Sequence, residues 1–255
     1  MKAYITACLT ILVTFPCVTA SHSPSARAVP GQKQNLPARP CDTPLVAAIH
    51  ARNVELINKI LREKPNLDGV SCPERQTALA ESIVMDLPEV TAALLNAGAD
   101  VNARDVKGAS ALNYAALYCR EAATSLLISH QASPNQSDDT GYSPLMMASS
   151  ACPDGRVAAL LIRAGANVNA TSKAGESPIT TAAFAGNEIV VMELVASGAD
   201  LDAKNDEGQT AFDLAKGREV GRRDSHDRIV SFLRSAKAGV SHMKLMSGPP
   251  ISDAF

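Results

Sequence analysis

The sequence has no tryptophan, and four tyrosines with five phenylalanines make aromatics only 4% of its 255 residues. A core without large rings must be built from Ala, Leu, Val and Ile, which suits helices that approach closely through small side chains. Neither sign of charge is in excess: 24 Lys+Arg stand against 26 Asp+Glu, a formal net charge of −2. That balance argues against a nucleic-acid grip and against a polybasic membrane anchor, which both need clustered positive charge. The apolar run Ala3 to Phe15 is too short to span a bilayer comfortably. Hydrophobics at 46% and charged residues at 20% exclude wholesale disorder.

The first twenty residues read as a segment apart from the fold. Lys2 supplies a short positive start, Ala3 to Phe15 the apolar stretch, and Val18-Thr19-Ala20 a small-residue cleavage site. A cleaved secretory signal over residues 1–20 is expected, hence a periplasmic or secreted protein with no stable membrane insertion afterwards. Cys17 follows Phe15-Pro16, unlike a lipoprotein cleavage box, so lipid attachment is not expected. Cleavage removes Cys8 and Cys17 and leaves Cys41, Cys72, Cys119 and Cys152. An even number in an exported chain permits two disulfides, with three possible pairings.

Internal periodicity organises the remainder. Thr43-Pro44-Leu45, Thr77-Ala78-Leu79, Ser110-Ala111-Leu112, Ser143-Pro144-Leu145, Ser177-Pro178-Ile179 and Thr210-Ala211-Phe212 recur at spacings of 34, 33, 33, 34 and 33. A second series keeps phase: Ala97-Gly98-Ala99-Asp100-Val101-Asn102, Ala164-Gly165-Ala166-Asn167-Val168-Asn169 and Ser197-Gly198-Ala199-Asp200-Leu201-Asp202. Gly108, Gly141, Gly175 and Gly208 form a third. In each unit a Thr or Ser hydroxyl caps a short helix, with Pro tolerated at its first position. Alanines such as Ala47-Ala48, Ala115-Ala116 and Ala182-Ala183 allow close helix approach. A turn leads into an apolar-rich second helix, exemplified by Val190 to Val195, and Gly98, Gly165 and Gly198 end these helices in a left-handed conformation. The Asn, Asp and Gly residues beyond suit a tight hairpin-like connector.

This pattern resembles the ankyrin repeat, on its Thr-Pro-Leu helix starts and Gly-Ala-Asp-Val-Asn segments. The resemblance covers residues 41–236 and implies an all-α solenoid of about six helix-turn-helix repeats joined by hairpin-like connectors. One departure recurs: the His that often follows Thr-Pro-Leu is replaced by Val46, Ala80, Asn113, Met146, Thr180 and Asp213. Losing a helix-to-loop hydrogen bond in each unit predicts lower stability than an idealised array. The sixth unit lengthens through Gly217 to Asp224 before Ile229 to Leu233 restores an apolar face, as expected of a C-terminal cap. Residues 21–40, rich in Ser, Pro and Ala, read as a flexible linker, and 237–255 as a loose C-terminal tail.

No His-Glu-x-x-His pair, phosphate loop or Gly-x-Ser-x-Gly elbow occurs, so no enzyme, catalytic residue or cofactor is expected. His22, His50, His130, His226 and His242 lack ligand spacing and read as surface or loop residues, with no metal implied. Asp138-Asp139-Thr140-Gly141 lacks the alternating ligands of a calcium loop and reads as a solvated turn.

The cysteines gain meaning in the repeat frame. Cys41 and Cys72 fall on the connector edge, whereas Cys119 and Cys152 each lie nine residues past Ser110 and Ser143, in adjacent interhelical turns. Cys41–Cys72 with Cys119–Cys152 is the pairing that avoids crossing the solenoid; free thiols at the core edge are the competing reading. Neighbouring helices stand about 8–10 Å apart while disulfide Cα atoms lie within about 7 Å. Slack from an insertion near Pro153-Asp154-Gly155 is therefore required.

Stacked repeats present an extended concave surface, and the resemblance implies binding through connector tips and the ends of first helices. Val84, Met85, Leu117, Tyr118, Tyr142 and Phe184 are expected to form a contiguous apolar patch there. Lys107, Asp139, Lys173, Glu176 and Glu207 would flank it. Tyr114 reads as core. The expected function is a non-enzymatic, monomeric scaffold that binds another protein in the periplasm, as an inhibitor, immunity or accessory protein. A secreted host-directed effector is the alternative.

Overall fold

The structure, a computed structural model, describes residues 43–63, 65–68, 76–217 and 223–246. Cys41, Cys72, the signal segment, the 21–40 linker and His22 lie outside them. Twelve helices occupy the described residues in six successive pairs. They are α1 (Pro44–His50) with α2 (Val54–Arg62), α3 (Ala78–Val84) with α4 (Pro88–Asn96), and α5 (Ala111–Leu117) with α6 (Glu121–Ser129). Then follow α7 (Pro144–Ala151) with α8 (Arg156–Arg163), α9 (Pro178–Ala185) with α10 (Glu188–Ala196), and α11 (Ala211–Lys216) with α12 (Arg223–Met246). No strand occurs among the described residues; Arg104 and Ser110 form an isolated antiparallel bridge. The fold is an all-helical ankyrin-type solenoid.

Local chemistry starts each first helix where the spacing predicts. The hydroxyls of Thr43, Thr77, Ser143, Ser177 and Thr210 accept the N–H three residues on, at 3.1–3.4 Å. At Ser110 the polarity reverses: its backbone N–H and its hydroxyl both donate to Asn113 Oδ1, at 3.0 and 2.8 Å. Asn113, Thr180 and Asp213 all reach back to the cap, closing reciprocal capping boxes. Asn113 Nδ2 also donates to the Tyr142 carbonyl at 3.3 Å, a helix-to-loop bond into the next unit. At Asn113 a helix-to-loop bond of the kind expected to be lost is thus present.

First helices pack on first helices and second helices on second helices along the array. The first helices are enclosed on nearly every side: Ala111 to Ala116, Pro144 to Ser149 and Pro178 to Ala183 are wholly buried. This explains why they are apolar all round, without the one-sided stripe of a surface helix. The second helices bury a single stripe, such as Val190, Val191 and Leu194 in α10. The largest fully buried side chains are Ile49, Ile57, Leu79, Leu112, Leu127, Met146, Leu161 and their like, with no aromatic ring among them. Close approach through alanine favours aliphatic side chains there, and Tyr114 is the one aromatic ring among the buried core residues described.

The sixth unit departs from expectation at its end. Ile229 and Leu233 are buried and seat α12 against α10 and α11. The helix then continues through Lys237 to Met246, so that stretch is helical and not a loose tail. His226, expected at the surface, is buried in the same helix at 6% exposure.

Candidate functional site

Each of the four connectors that lie wholly within the described residues is a loop closed by one of its own side chains. Asp105 Oδ1 accepts the N–H groups of Lys107 and Ala109, both at 2.8 Å. Asp138 Oδ1 accepts those of Thr140 and Tyr142 at 2.9 Å, and Ser172 Oγ those of Ala174 and Glu176 at 3.2 Å. Asn205 Oδ1 accepts from Gln209 at 2.8 Å. Asp138 is buried and organises its loop, so the solvated turn expected there is corrected. Closed loops then stack: Asp139 N–H donates to the Lys107 carbonyl at 2.9 Å, Lys173 N–H to Thr140 at 2.9 Å, and Asp206 N–H to Ala174 at 3.1 Å. The tips project Val106, Lys107, Asp139, Lys173, Asp206 and Glu207 into solvent, Val106 at 43% exposure. Arg104 Nη2 bonds Asp139 Oδ1 at 3.1 Å across two tips.

A second ladder runs through the loops that follow the second helices. Asp68 Oδ1 accepts the N–H of Asp100 at 2.9 Å, Asn102 that of Ser133 at 2.8 Å, Asn135 that of Asn167 at 2.7 Å and Asn169 that of Asp200 at 2.8 Å. Sequence reading noted Asn102, Asn169 and Asp202 as a recurring series but not their bonding, and Asn135 it did not single out. At the equivalent position Asp202 bonds through its carboxylate to Lys237 of α12. That hydrogen bond raises the lysine pKa above its ordinary range.

The apolar residues expected to form an exposed patch are placed differently. Val84, Met85, Leu117, Tyr118 and Tyr142 are half-buried and packed against the core, and Phe184 is also half-buried. None is among the exposed large hydrophobics, which are Val54, Leu56, Val106, Ile189 and Met192 among the described residues. Glu176, expected on the rim, is only 6% exposed; it accepts the Tyr142 phenol and lies 3.4 Å from the Ser172 hydroxyl. Lys107, Asp139, Lys173 and Glu207 do lie exposed on the connectors.

Tyr114 is buried in the core as expected and donates to Asp105 Oδ2 at 2.6 Å. Burial, then the adjoining Asp105 carboxylate, pushes its phenol far above the ordinary tyrosine range. His50 bonds Glu81 of the next unit, while His130 is exposed. No group of three or more His, Cys, Asp or Glu side chains among the described residues is placed to hold a metal ion. Nor is any described helix long and apolar enough to cross a membrane.

Cys119 and Cys152 are joined sulfur to sulfur, with Cα atoms 5.5 Å apart. From helix cap to second helix the interval is eleven residues in the first, second, third and fifth units but thirteen from Ser143 to Arg156. The added length moves the left-handed residue from the ninth position, held elsewhere by Arg52, Asp86, Cys119 and Gly186, to Gly155. Cys152 is thereby extended and turned toward its neighbour.

A family model described as the ankyrin repeat matches residues 140–173 and 174–206, the span of the fourth and fifth stacked units. The chain is an ankyrin-repeat protein. Over 186 residues, 72% of its length, it is 31% identical to SH3 and multiple ankyrin repeat domains protein 2 of Homo sapiens, covering 10% of that protein. It is 35% identical over 139 residues to neurogenic locus notch homolog protein 4 of Homo sapiens, 53% of this chain and 7% of that one. With the transient receptor potential cation channel subfamily A member 1 homolog of Caenorhabditis elegans it shares 32% identity over 114 residues, 44% and 9% of the two chains. The ankyrin-repeat chain spans less than a fifth of the length of these curated relatives. Ankyrin repeats are a protein–protein interaction scaffold.

Proposed function

We propose that this ankyrin-repeat chain is a non-enzymatic module that binds another protein in the periplasm, as inhibitor, immunity or accessory partner of an enzyme there. The observation that carries the reading is the row of stacked connectors. Their backbones are pinned loop to loop by hydrogen bonds at 2.9–3.1 Å, so the exposed tips are held in register before any partner arrives. Ordering entropy at such a surface is spent in folding, which favours affinity on docking. The tips mix Lys107 and Lys173 with Asp139, Asp206 and Glu207, a pattern suited to selecting a partner by charge. Export is supported by the signal features of residues 1–20 and by cysteines placed for oxidation.

The test compares the mature chain with a Lys107→Glu, Lys173→Glu variant as bait in periplasmic extract. A polypeptide retained by the former and reduced about ten-fold or more by the latter is expected from reversing charges that steer docking. Retention of the same proteins by both baits refutes binding through the tips. Recovery of the chain from the cytosol with residues 1–20 intact refutes export.

A further inference from the structure

Adjacent units are tied at or beside their interhelical turns. Arg52 Nη2 donates to the Met85 carbonyl at 3.0 Å, and Arg120 Nη1 to Asp86 Oδ2 at 2.8 Å. Buried Asn187 donates through Nδ2 to the Ser149 carbonyl at 2.7 Å, and Arg228 Nε lies 3.2 Å from Glu188 Oε2. Between the third and fourth units the ion pair is Arg156 Nη1 to Glu121 Oε2 at 3.3 Å, with both side chains more than half exposed. Such a pair adds little, so the Cys119–Cys152 bond is the firm tie between these two turns. The Cys152 residue is fully buried, and its sulfur also stands 3.1 Å from the Ala116 carbonyl. That oxygen lies in the last turn of α5, where helical carbonyls lack partners four residues on. The Cys119 N–H reaches it only at 3.3 Å. A disulfide sulfur has no proton to give this oxygen, whereas a thiol in the same place donates to it.

We propose that Cys119–Cys152 is a redox clasp on a fold that stands without it. A dithiol opens the bond, the six units stay stacked, and the buried Cys152 thiol donates to the Ala116 carbonyl. Local opening of the lengthened turn lets the reductant in. Its first thiolate bonds to one sulfur of the pair as the Cys119–Cys152 bond breaks, and that electron pair leaves on the other sulfur. Its second thiolate then displaces the protein sulfur from the adduct and closes the reductant's own disulfide. The two protons given up by the reductant's thiols are balanced by two taken up at Cys119 and Cys152. With the clasp open, the turn from Cys152 to Arg156 is held by an exposed ion pair and a thiol–carbonyl bond, so it opens more often. Redox state thereby sets the rigidity of this turn, whether or not the connectors dock a partner.

Dithiothreitol is the probe, on the mature chain carrying Cys41→Ser and Cys72→Ser so that Cys119 and Cys152 are its only cysteines. Under native conditions both thiols should appear while the helical circular dichroism stays that of the oxidised chain. The amides of Cys152, Gly155 and Ala159, bonded in and around the lengthened turn, should then exchange with deuterium about ten-fold or more faster. Those of Leu87 and Thr91, at the second unit's turn, should keep their rates. In the same background Cys119→Gly gives that position the residue of the fifth unit, Gly186, and leaves Cys152 as the sole thiol. Its infrared S–H stretch should fall below that of the same chain in urea, and it should resist N-ethylmaleimide until urea is added. Loss of helicity on reduction or in Cys119→Gly, thiols that appear only in urea, unchanged exchange at the Cys152 turn, or an unshifted S–H band overturns the proposal.

Discussion

Replacing Gly186 by alanine should loosen the C-terminal cap from a distance, and Gly198 supplies the control. Both glycines lie in the left-handed region, at φ 75° and 85°. Alanine there costs roughly 1–2 kcal/mol of backbone strain. Space separates the two positions. A Cβ on Gly198 meets nothing within 4 Å, whereas one on Gly186 comes 2.6 Å from His226 Cε1 and 3.2 Å from both ring nitrogens. The imidazole is buried and its Nε2 lies 3.4 Å from the Phe184 carbonyl, so it cannot swing freely into water. Displacing it adds about 1–3 kcal/mol, as overpacking does elsewhere. Gly198→Ala should therefore lose about 1–2 kcal/mol and Gly186→Ala about 2–5 kcal/mol, read from urea denaturation by circular dichroism. Hydrogen exchange should show the added loss concentrated in α12, because repeat arrays unfold locally. In a His226→Ala background the Gly186→Ala penalty should fall to that of Gly198→Ala. Equal losses at the two glycines, or a penalty indifferent to His226, would refute this account of the cap.

Further outcomes follow from single contacts. Leu161→Ala empties a fully buried site in α8 and should lower stability by about 2–5 kcal/mol in the same denaturation assay; a loss below 1 kcal/mol by that measurement counts against tight packing there. Tyr142→Phe takes a phenol donor from buried Glu176 and should cost about 1–3 kcal/mol by urea titration. Asp213 is held below the ordinary carboxylate range by the Thr210 hydroxyl and then by the Thr210 backbone N–H. Its folded pKa is depressed, so its stabilisation is complete above about pH 4 and fades as pH falls through the folded value. Exposure limits this to under about 1 kcal/mol, and Asp213→Asn should flatten that part of the acid limb in thermal melts taken across pH; an unaltered acid limb contradicts the assignment.

Residues that act on their own backbone were the most legible in sequence. The six capping residues, Thr43 through Thr210, bond within three residues, so spacing alone located them. Less legible were residues whose surroundings come from the adjacent unit. Glu176 looked like a rim charge because its partner, Tyr142, is 34 positions away. The Asn102, Asn135 and Asn169 ladder was visible as recurrence but not as bonding, since each accepts from a loop about one repeat onward. Lys237 lies in α12, the second helix of the sixth unit, where the repeat pattern of the earlier units no longer runs, so periodicity did not announce its bond to Asp202.

Sequence by itself determined the number of units, their phase, their caps and the ring-poor, alanine-rich core, because turn and helix chemistry is local and repeats every 33 or 34 residues. Only tertiary structure decided which surfaces remain open. Val84, Leu117, Tyr118 and Tyr142 are half-covered where they pack against the core, while connector residues such as Lys107 and Lys173 stay exposed. It also decided that Cys119 and Cys152 come within 5.5 Å, a distance set by how one lengthened turn folds against its neighbour. Burial is a property of pairs of units, and a single unit's residues do not contain it.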